Sequence, residues 1–227
     1  MSIILSIETS TSVCSAALHN EGKLVSFEII HTPNSAAGQL AVMIDKILKS
    51  AGSPKLDAVA VSSGPGSYTG LRIGVATAKG ICYALSVPLL SINTLELMSH
   101  QLQHSQFEIR NSLLCPMIDA RRMEVYTMLL NEKLDVIQPV AASIIDPTSY
   151  ADILNYKKIF FFGNGSSKCK DVITHPNANF IEDIFPSAEW MGEMAYDLYK
   201  KNKFEDVSYF EPLYLKDFVA KKPKTLV

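Results

Sequence analysis

The first thirty residues contain three apolar segments separated by short polar turns, and this pattern constrains the fold more than any other feature. Segments 3–7, 13–18 and 24–30 have the length of strands, and the turns between them are rich in Thr, Ser, Asn and Gly. Short apolar runs bounded by turn residues predict β-strands, and turns this short join antiparallel neighbours. We therefore expect the chain to begin with a three-stranded antiparallel meander.

Helical and strand patterns alternate after the meander. The predicted helices cover 38–51, 69–85 and 93–103, and the predicted strands between them cover 57–62 and 88–92. Asn93 and Glu96 form a capping box at the start of the third helix. In the second helix, Arg72, Lys79 and Tyr83 lie in a narrow wedge, and almost every other position is apolar or small. This helix must therefore be covered on two sides. This order is typical of an α/β fold with mixed sheets.

The second half of the chain restarts after a polar stretch at 104–111. Strands are expected at 113–119, 123–130 and 159–162, and helices at 147–154 and 187–201. We expect two lobes, an N-terminal lobe over 1–106 and a smaller one over 107–227, and the last residues could return to the N-terminal lobe. A chain of 227 residues is long enough to build an apolar core in each lobe.

Composition argues against several classes of protein. Hydrophobic residues make up 48% of the chain, but no stretch approaches the ~18 apolar residues of a membrane span, and the first residues do not resemble a secretory signal, so a cytoplasmic protein is expected. The four cysteines stand singly, which predicts buried reduced thiols. Because the net charge is −2, any contact with RNA is expected to be shared with a partner.

Two loops that follow predicted strands could contact a nucleotide. In residues 8–12, hydroxyl and N–H groups could hold phosphate oxygens, and Glu8 could hold a metal ion through water. An ordinary hairpin turn is the favoured interpretation of this segment. Residues 64–70 precede a helix whose N-terminus offers N–H groups, but packing against another element explains the same glycines equally well. The candidates in these loops are Glu8, Thr9, Ser10, Gly64, Gly66, Ser67, Thr69 and Gly70.

Other ionisable groups give weaker signals. Asp119 and Glu124 flank two arginines at a predicted strand end and could position a metal, water or phosphate, although a charged hairpin with a local ion pair is favoured. His100 and His104 have the spacing of helical zinc ligands but lack a nearby glutamate in the metalloprotease pattern. We therefore expect neither a metal site nor a catalytic residue.

Four motifs together resemble the TsaB (YeaZ) family. They are Ile-Leu-Ser-Ile-Glu-Thr-Ser at 4–10, Gly-Pro-Gly-Ser-Tyr-Thr-Gly-Leu-Arg-Ile-Gly at 64–74, Asp-Ala-Arg-Arg-Met-Glu-Val-Tyr at 119–126 and Glu-Pro-Leu-Tyr-Leu-Lys at 211–216. The resemblance implies a two-lobe actin-like ATPase fold of the RNase H-like type. It also implies that the chain is related to TsaD, which transfers threonylcarbamoyl from threonylcarbamoyl-AMP to the adenosine 3′ of the anticodon in tRNA.

The implied role is that of a non-catalytic scaffold or activator subunit. The metal-binding histidines of TsaD would align with Thr94 and Met98, which cannot replace two imidazoles. The resemblance implies a homodimer when the protein is alone and a heterodimer with TsaD, with the ATPase TsaE as a further partner. It also implies that tRNA is contacted only through the complex and that ATP or ADP with magnesium binds at the shared interface. Candidate interface residues are Val42, Leu71, Arg72, Gly74, Val75 and Ala78.

An autonomous ATP-dependent small-molecule kinase of the same fold is the alternative, with Glu8 and Asp119 around magnesium. The older glycoprotease label for such proteins is disfavoured, because the chain offers neither a nucleophile nor a metal site. The chain departs from its relatives at 34–39, where many carry a histidine and a proline. It also has Lys216 where an arginine is usual, which would make a bidentate contact a point-charge contact.

Overall fold

The computed structural model describes residues 2–31 and 36–216, and residues 34 and 35 of the 34–39 departure and the last residues lie outside this part. The first of its two five-stranded sheets has the order β3-β2-β1-β4-β5. Its strands are β1 (Ile3–Glu8), β2 (Cys14–Asn20), β3 (Lys23–Ile30), β4 (Ala58–Gly64) and β5 (Leu89–Asn93). Strands β1, β2 and β3 are antiparallel, whereas β4 runs parallel to β1 and β5. The predicted meander is confirmed.

The second sheet repeats this topology with the order β10-β9-β6-β7-β8. Its strands are β6 (Ser112–Asp119), β7 (Glu124–Asn131), β8 (Val136–Ile144), β9 (Lys158–Phe162) and β10 (Ala178–Ile181). Strands β6, β7 and β8 are antiparallel, and β9 is parallel to β6 and β10. The two edge strands β8 and β10 were not predicted from the sequence, because β8 is largely exposed and contains Pro139, and β10 has only four residues.

The five α-helices that the structure describes are α1 (Ala36–Ser50), α2 (Tyr68–Leu85), α3 (Thr94–Gln103), α4 (Ala151–Leu154) and α5 (Gly192–Lys200). The predicted helix over 147–154 is wrong at its start, because Asp146 accepts hydrogen bonds from the backbone and hydroxyl of Thr148 and holds a turn there. The predicted helix over 187–201 begins instead as a short 3-10 helix, Ala188–Met191.

The first sheet is covered on both faces. Helices α1 and α2 pack on one face, where Ile47 and Ala78 join the core around Leu5. On the other face, Ala195 of α5 and Leu97 of α3 pack with Ile4, because successive residues of a strand point to opposite faces. Each face of the first sheet therefore has its own apolar core.

Helix α3 lies between the two sheets. Leu97 belongs to the core of the first sheet, whereas Leu95, Met98 and Leu102 pack with residues of the second sheet such as Leu114. The side chains of α3 thus connect both cores, and a ligand held by this helix would be fixed relative to both sheets.

Candidate functional site

The two loops singled out in the sequence lie against each other. The Thr9 hydroxyl donates a hydrogen bond to the Gly70 carbonyl oxygen at 2.8 Å, and the Ser67 backbone N–H donates to the Ser10 carbonyl oxygen at 2.6 Å. A Cβ atom at Gly66 would overlap the Ser10 backbone, and one at Gly70 would overlap the Thr9 carbonyl oxygen. Glycine is required at both positions because the two loops approach so closely.

Part of the hydrogen-bonding capacity of the helix N-terminus is already used by the protein. The Ser67 hydroxyl accepts a hydrogen bond from the Gly70 N–H at 3.2 Å and caps α2. The Ser67 N–H is bound to Ser10, as described above. A phosphate would have to compete with these partners, so the geometry favours packing over phosphate binding for this loop. Of the loop candidates, Ser67 and Thr69 are exposed, whereas Thr9, Ser10, Gly64 and Gly70 are buried.

Glu8 is completely buried at the end of β1. One carboxylate oxygen accepts a hydrogen bond from the Ser10 N–H at 2.5 Å. Burial raises the pKa of Glu8, and the hydrogen bond from the Ser10 N–H only partly offsets this effect. In this arrangement the carboxyl group has no surface exposed to solvent.

Asp119 is paired with a lysine that the sequence analysis missed. The Lys168 ammonium lies 2.5 Å from an Asp119 carboxylate oxygen and donates to the carbonyl oxygens of Arg122 and Glu124, each at 2.6 Å. The Asn164 side-chain oxygen accepts from the Asp119 N–H at 3.1 Å. Spacing gives no sign of these contacts, because Asn164 and Lys168 follow β9, on a different part of the chain.

Glu124 is paired with Lys216, the last residue of the fourth motif. The Lys216 ammonium forms an ion pair with the Glu124 carboxylate and lies 5.8 Å from the centre of the Tyr126 ring. It also donates a hydrogen bond to the Ala120 carbonyl oxygen at 3.4 Å. Lys216 thus holds the end of the described chain against the second sheet.

The interface candidates divide into buried and exposed residues. Val42 and Arg72 are exposed. Leu71, Gly74, Val75 and Ala78 are buried within the chain, and a Cβ atom at Gly74 would overlap the Thr9 hydroxyl. A partner that binds α2 would therefore meet its exposed side, where Arg72 and Tyr83 lie, and these four buried residues would support that surface from beneath.

A cavity of about 440 Å³ lies between the exposed side of α2 and the C-terminal segment. Its lining residues are Arg72, Val75, Ala76, Lys79, Glu211, Pro212 and Tyr214. The Arg72 guanidinium stacks 4.3 Å from the centre of the Tyr68 ring, and Lys79 donates to the carbonyl oxygens of Ser208 and Phe210, each at 3.1 Å. The expected second cover of α2 is therefore supplied in part by residues 208–214.

Among the residues that the structure describes, no helix combines the length and the apolar character needed to cross a bilayer.

Comparisons with known proteins identify the family. A family model described as TsaD, tRNA N6-adenosine threonylcarbamoyltransferase, matches residues 35–224. The tRNA threonylcarbamoyladenosine biosynthesis protein TsaB of Haemophilus influenzae is 27% identical over 231 residues, covering 96% of this chain and 95% of the relative. The TsaB protein of Bacillus subtilis is 28% identical over 230 residues, covering 94% and 93%. The chain belongs to the TsaD-like TsaB (YeaZ) family.

A solved structure of YeaZ from Pseudomonas aeruginosa agrees with this assignment. It matches with a TM-score of 0.81 and 25% identity, covering 95% of this chain and 100% of that one. The resemblance drawn from the sequence motifs is confirmed, and so is the fold class. The chain has an actin-like ATPase fold of the RNase H-like type, built on two mixed sheets of identical topology.

Proposed function

We propose that this chain is a non-catalytic scaffold and activator subunit of the tRNA threonylcarbamoyladenosine synthesis complex. It would pair with TsaD and support transfer of threonylcarbamoyl from threonylcarbamoyl-AMP to the adenosine 3′ of the anticodon. Involvement in this biosynthesis is supported by the curated relatives, which are named for it. The role implies a cytoplasmic protein that reaches tRNA only through its complex.

The pairing of the candidate carboxylates carries the non-catalytic assignment. Glu8 has no exposed surface, Asp119 is held by Lys168 and Glu124 is held by Lys216. A kinase of this fold would need carboxylates that face solvent and coordinate magnesium through oxygen. Each carboxylate is instead buried or already neutralised by a lysine of the same chain, which favours the scaffold over the kinase.

The start of α3 supports the same assignment. Thr94 and Met98, at the positions that align with the histidines of TsaD, are fully buried. Met98 packs with Ile118 and Phe162 in the core beside the second sheet. A hydroxyl and a thioether in these positions are poor ligands for the metals that imidazoles bind, so the metal of the transfer reaction would belong to the partner.

The exposed sides of α1 and α2 are the proposed docking surface for TsaD. These helices pack side by side on one face of the first sheet. Val42 on α1 is 61% exposed and Tyr83 on α2 is 85% exposed, and large exposed apolar groups are typical of interfaces. Without TsaD the same surface would form the homodimer, and TsaE, with ATP or ADP and magnesium, would join at the edge of the shared interface.

The test combines this protein with TsaD of the same organism. Size-exclusion chromatography with light scattering should detect a stoichiometric complex, and threonylcarbamoyl transfer measured with and without TsaE should require this chain. The contrary result is that the two proteins do not associate and that the isolated chain turns over Mg-ATP and transfers phosphate. In that case Asp119→Asn would abolish both activities. That result would replace the scaffold with the kinase.

A further inference from the structure

Three potential metal ligands converge between α3 and α5. His100 lies in the last turn of α3, His104 is the residue that caps this helix one turn later, and Glu193 lies in the first turn of α5. The Nε2 atoms of His100 and His104 lie 3.4 Å and 3.5 Å from the same Glu193 carboxylate oxygen, Oε2. The three ligand atoms all lie within 4.8 Å of one another.

Two of these separations match the geometry of a tetrahedral zinc site. Tetrahedral Zn²⁺ holds nitrogen and oxygen ligands at about 2.0–2.2 Å, which places neighbouring ligand atoms about 3.3–3.6 Å apart. Both distances from Glu193 to the imidazoles fall in this range. They are longer than the roughly 2.7–3.2 Å of an ordinary N–H···O hydrogen bond.

The hydrogen bond of His104 orients its ring for metal binding. Its Nδ1 atom lies 2.9 Å from the His100 carbonyl oxygen. Because a carbonyl oxygen can only accept, Nδ1 carries the proton, and the lone pair of the neutral ring is on Nε2, beside Glu193. Metal-binding histidines generally donate their other N–H to a carbonyl or carboxylate in this way.

Tight packing fixes the position of Glu193. The preceding residue, Gly192, contacts the Gly22 carbonyl oxygen and the His19 ring so closely that a Cβ atom would overlap both. Helix α5 therefore begins in a defined position on the first sheet, and Glu193 extends from that point toward the histidines of α3. Because the side chain of His104 is 42% exposed and that of Glu193 67% exposed, solvent can reach a fourth coordination position.

We propose that His100, His104 and Glu193 bind one divalent transition-metal ion, with Zn²⁺ as the preferred class and water as the fourth ligand. Two imidazoles and one carboxylate suit zinc, whereas magnesium and calcium prefer oxygen ligands throughout. The ion cross-links α3, which connects both cores, to α5 on the first sheet. The four cysteines do not compete for the ion, because all are buried. This site differs from the sequence-based expectation of no metal, because the structure supplies the glutamate that the local sequence lacks.

The first test measures zinc retained by the full-length protein after incubation with ZnCl₂ and removal of free metal. About one Zn²⁺ per chain is expected for the wild type. Glu193→Gln and His104→Gln should each bind at least about tenfold more weakly, because the loss of even a group that only orients a ligand weakens zinc sites by this factor. His175→Gln, which removes a partly exposed imidazole elsewhere, is the matched control. Wild type without retained zinc, or variants that retain it equally, would overturn the proposal.

Two further measurements separate the site from adventitious binding. Co²⁺ in place of zinc should give the intense visible bands of four-coordinate cobalt in the wild type and in His175→Gln but not in Glu193→Gln. Saturating Zn²⁺ should raise the thermal midpoint of the wild type, because an ion that binds only the folded state stabilises it. A shift of equal size in Glu193→Gln would contradict the cross-link between the helices.

Discussion

The Thr9 hydroxyl donates a buried hydrogen bond to the carbonyl oxygen of Gly70, 61 residues further along the chain. This bond joins the turn after β1 to the first turn of α2. It forms only because Gly70, which has no side chain, allows the two backbones to approach. Two sequence motifs with separate candidate roles thus form one packed unit.

Gly70→Ala should destabilise the protein by about 1–3 kcal/mol, because the added methyl group overlaps the Thr9 carbonyl oxygen. Gly80→Ala is the control on the same helix, since nothing lies within 4 Å of a Cβ atom there. That change should stabilise the protein by about 0.5–1 kcal/mol through helix propensity. Urea denaturation of both variants measures the difference, and equal effects would show that the loops are not closely packed.

Lys168→Met should destabilise the protein by about 1–3 kcal/mol, because it removes the partner of Asp119 and two charge-assisted bonds to backbone carbonyl oxygens. Lys170→Met removes only an exposed ion pair with Glu182 at 3.5 Å and should change stability by less than about 0.5 kcal/mol. Chemical denaturation should therefore separate the two variants. If they behave alike, Lys168 is not the structural partner of Asp119.

Glu8→Gln should raise the thermal midpoint at pH 8 and have little effect near pH 4. Burial raises the pKa of Glu8 above 4.5 in the folded state. The folded protein therefore binds this proton more tightly than the unfolded chain, and stability is lost as pH rises through the folded-state pKa. Glutamine stays neutral at every pH and avoids this loss. Glu108→Gln, at a highly exposed position, is the control and should show no such pH-dependent difference. A Glu8→Gln effect that is the same at both pH values would contradict the raised pKa.

Val42→Glu should weaken association with TsaD at least tenfold and leave the stability of the monomer within about 0.5 kcal/mol of wild type. Val42 is 61% exposed on α1, within the proposed docking surface. Val136→Glu introduces the same charge at a valine that is 52% exposed on the edge of the second sheet, and it should bind TsaD normally. Calorimetric titration compares the two, and equal affinities would place the interface elsewhere.

Local sequence patterns predicted the elements that carry a strong period. Strands β1 to β3 were predicted within a few residues because each is a short apolar run bounded by turn residues, and helices α1 to α3 because a buried face imposes a period of 3.6 on a helix. Strands β8 and β10 lie at sheet edges and lack such a pattern. The start of the predicted 147–154 helix failed for a different reason, because hydrogen bonds to Asp146 stabilise a turn in preference to the helix.

The sequence by itself determined the α/β class and the family, since apolar periodicity and contiguous motifs are both properties of neighbouring residues. Only the tertiary structure decided the partners of the polar groups. Lys168 pairs with Asp119, Lys216 with Glu124 and Glu193 with His100. The two residues of each pair are far apart in the sequence, so no spacing rule predicts the contact. The physical reason is that these contacts depend on how whole sheets and helices pack, and burial summed over the entire chain sets that packing.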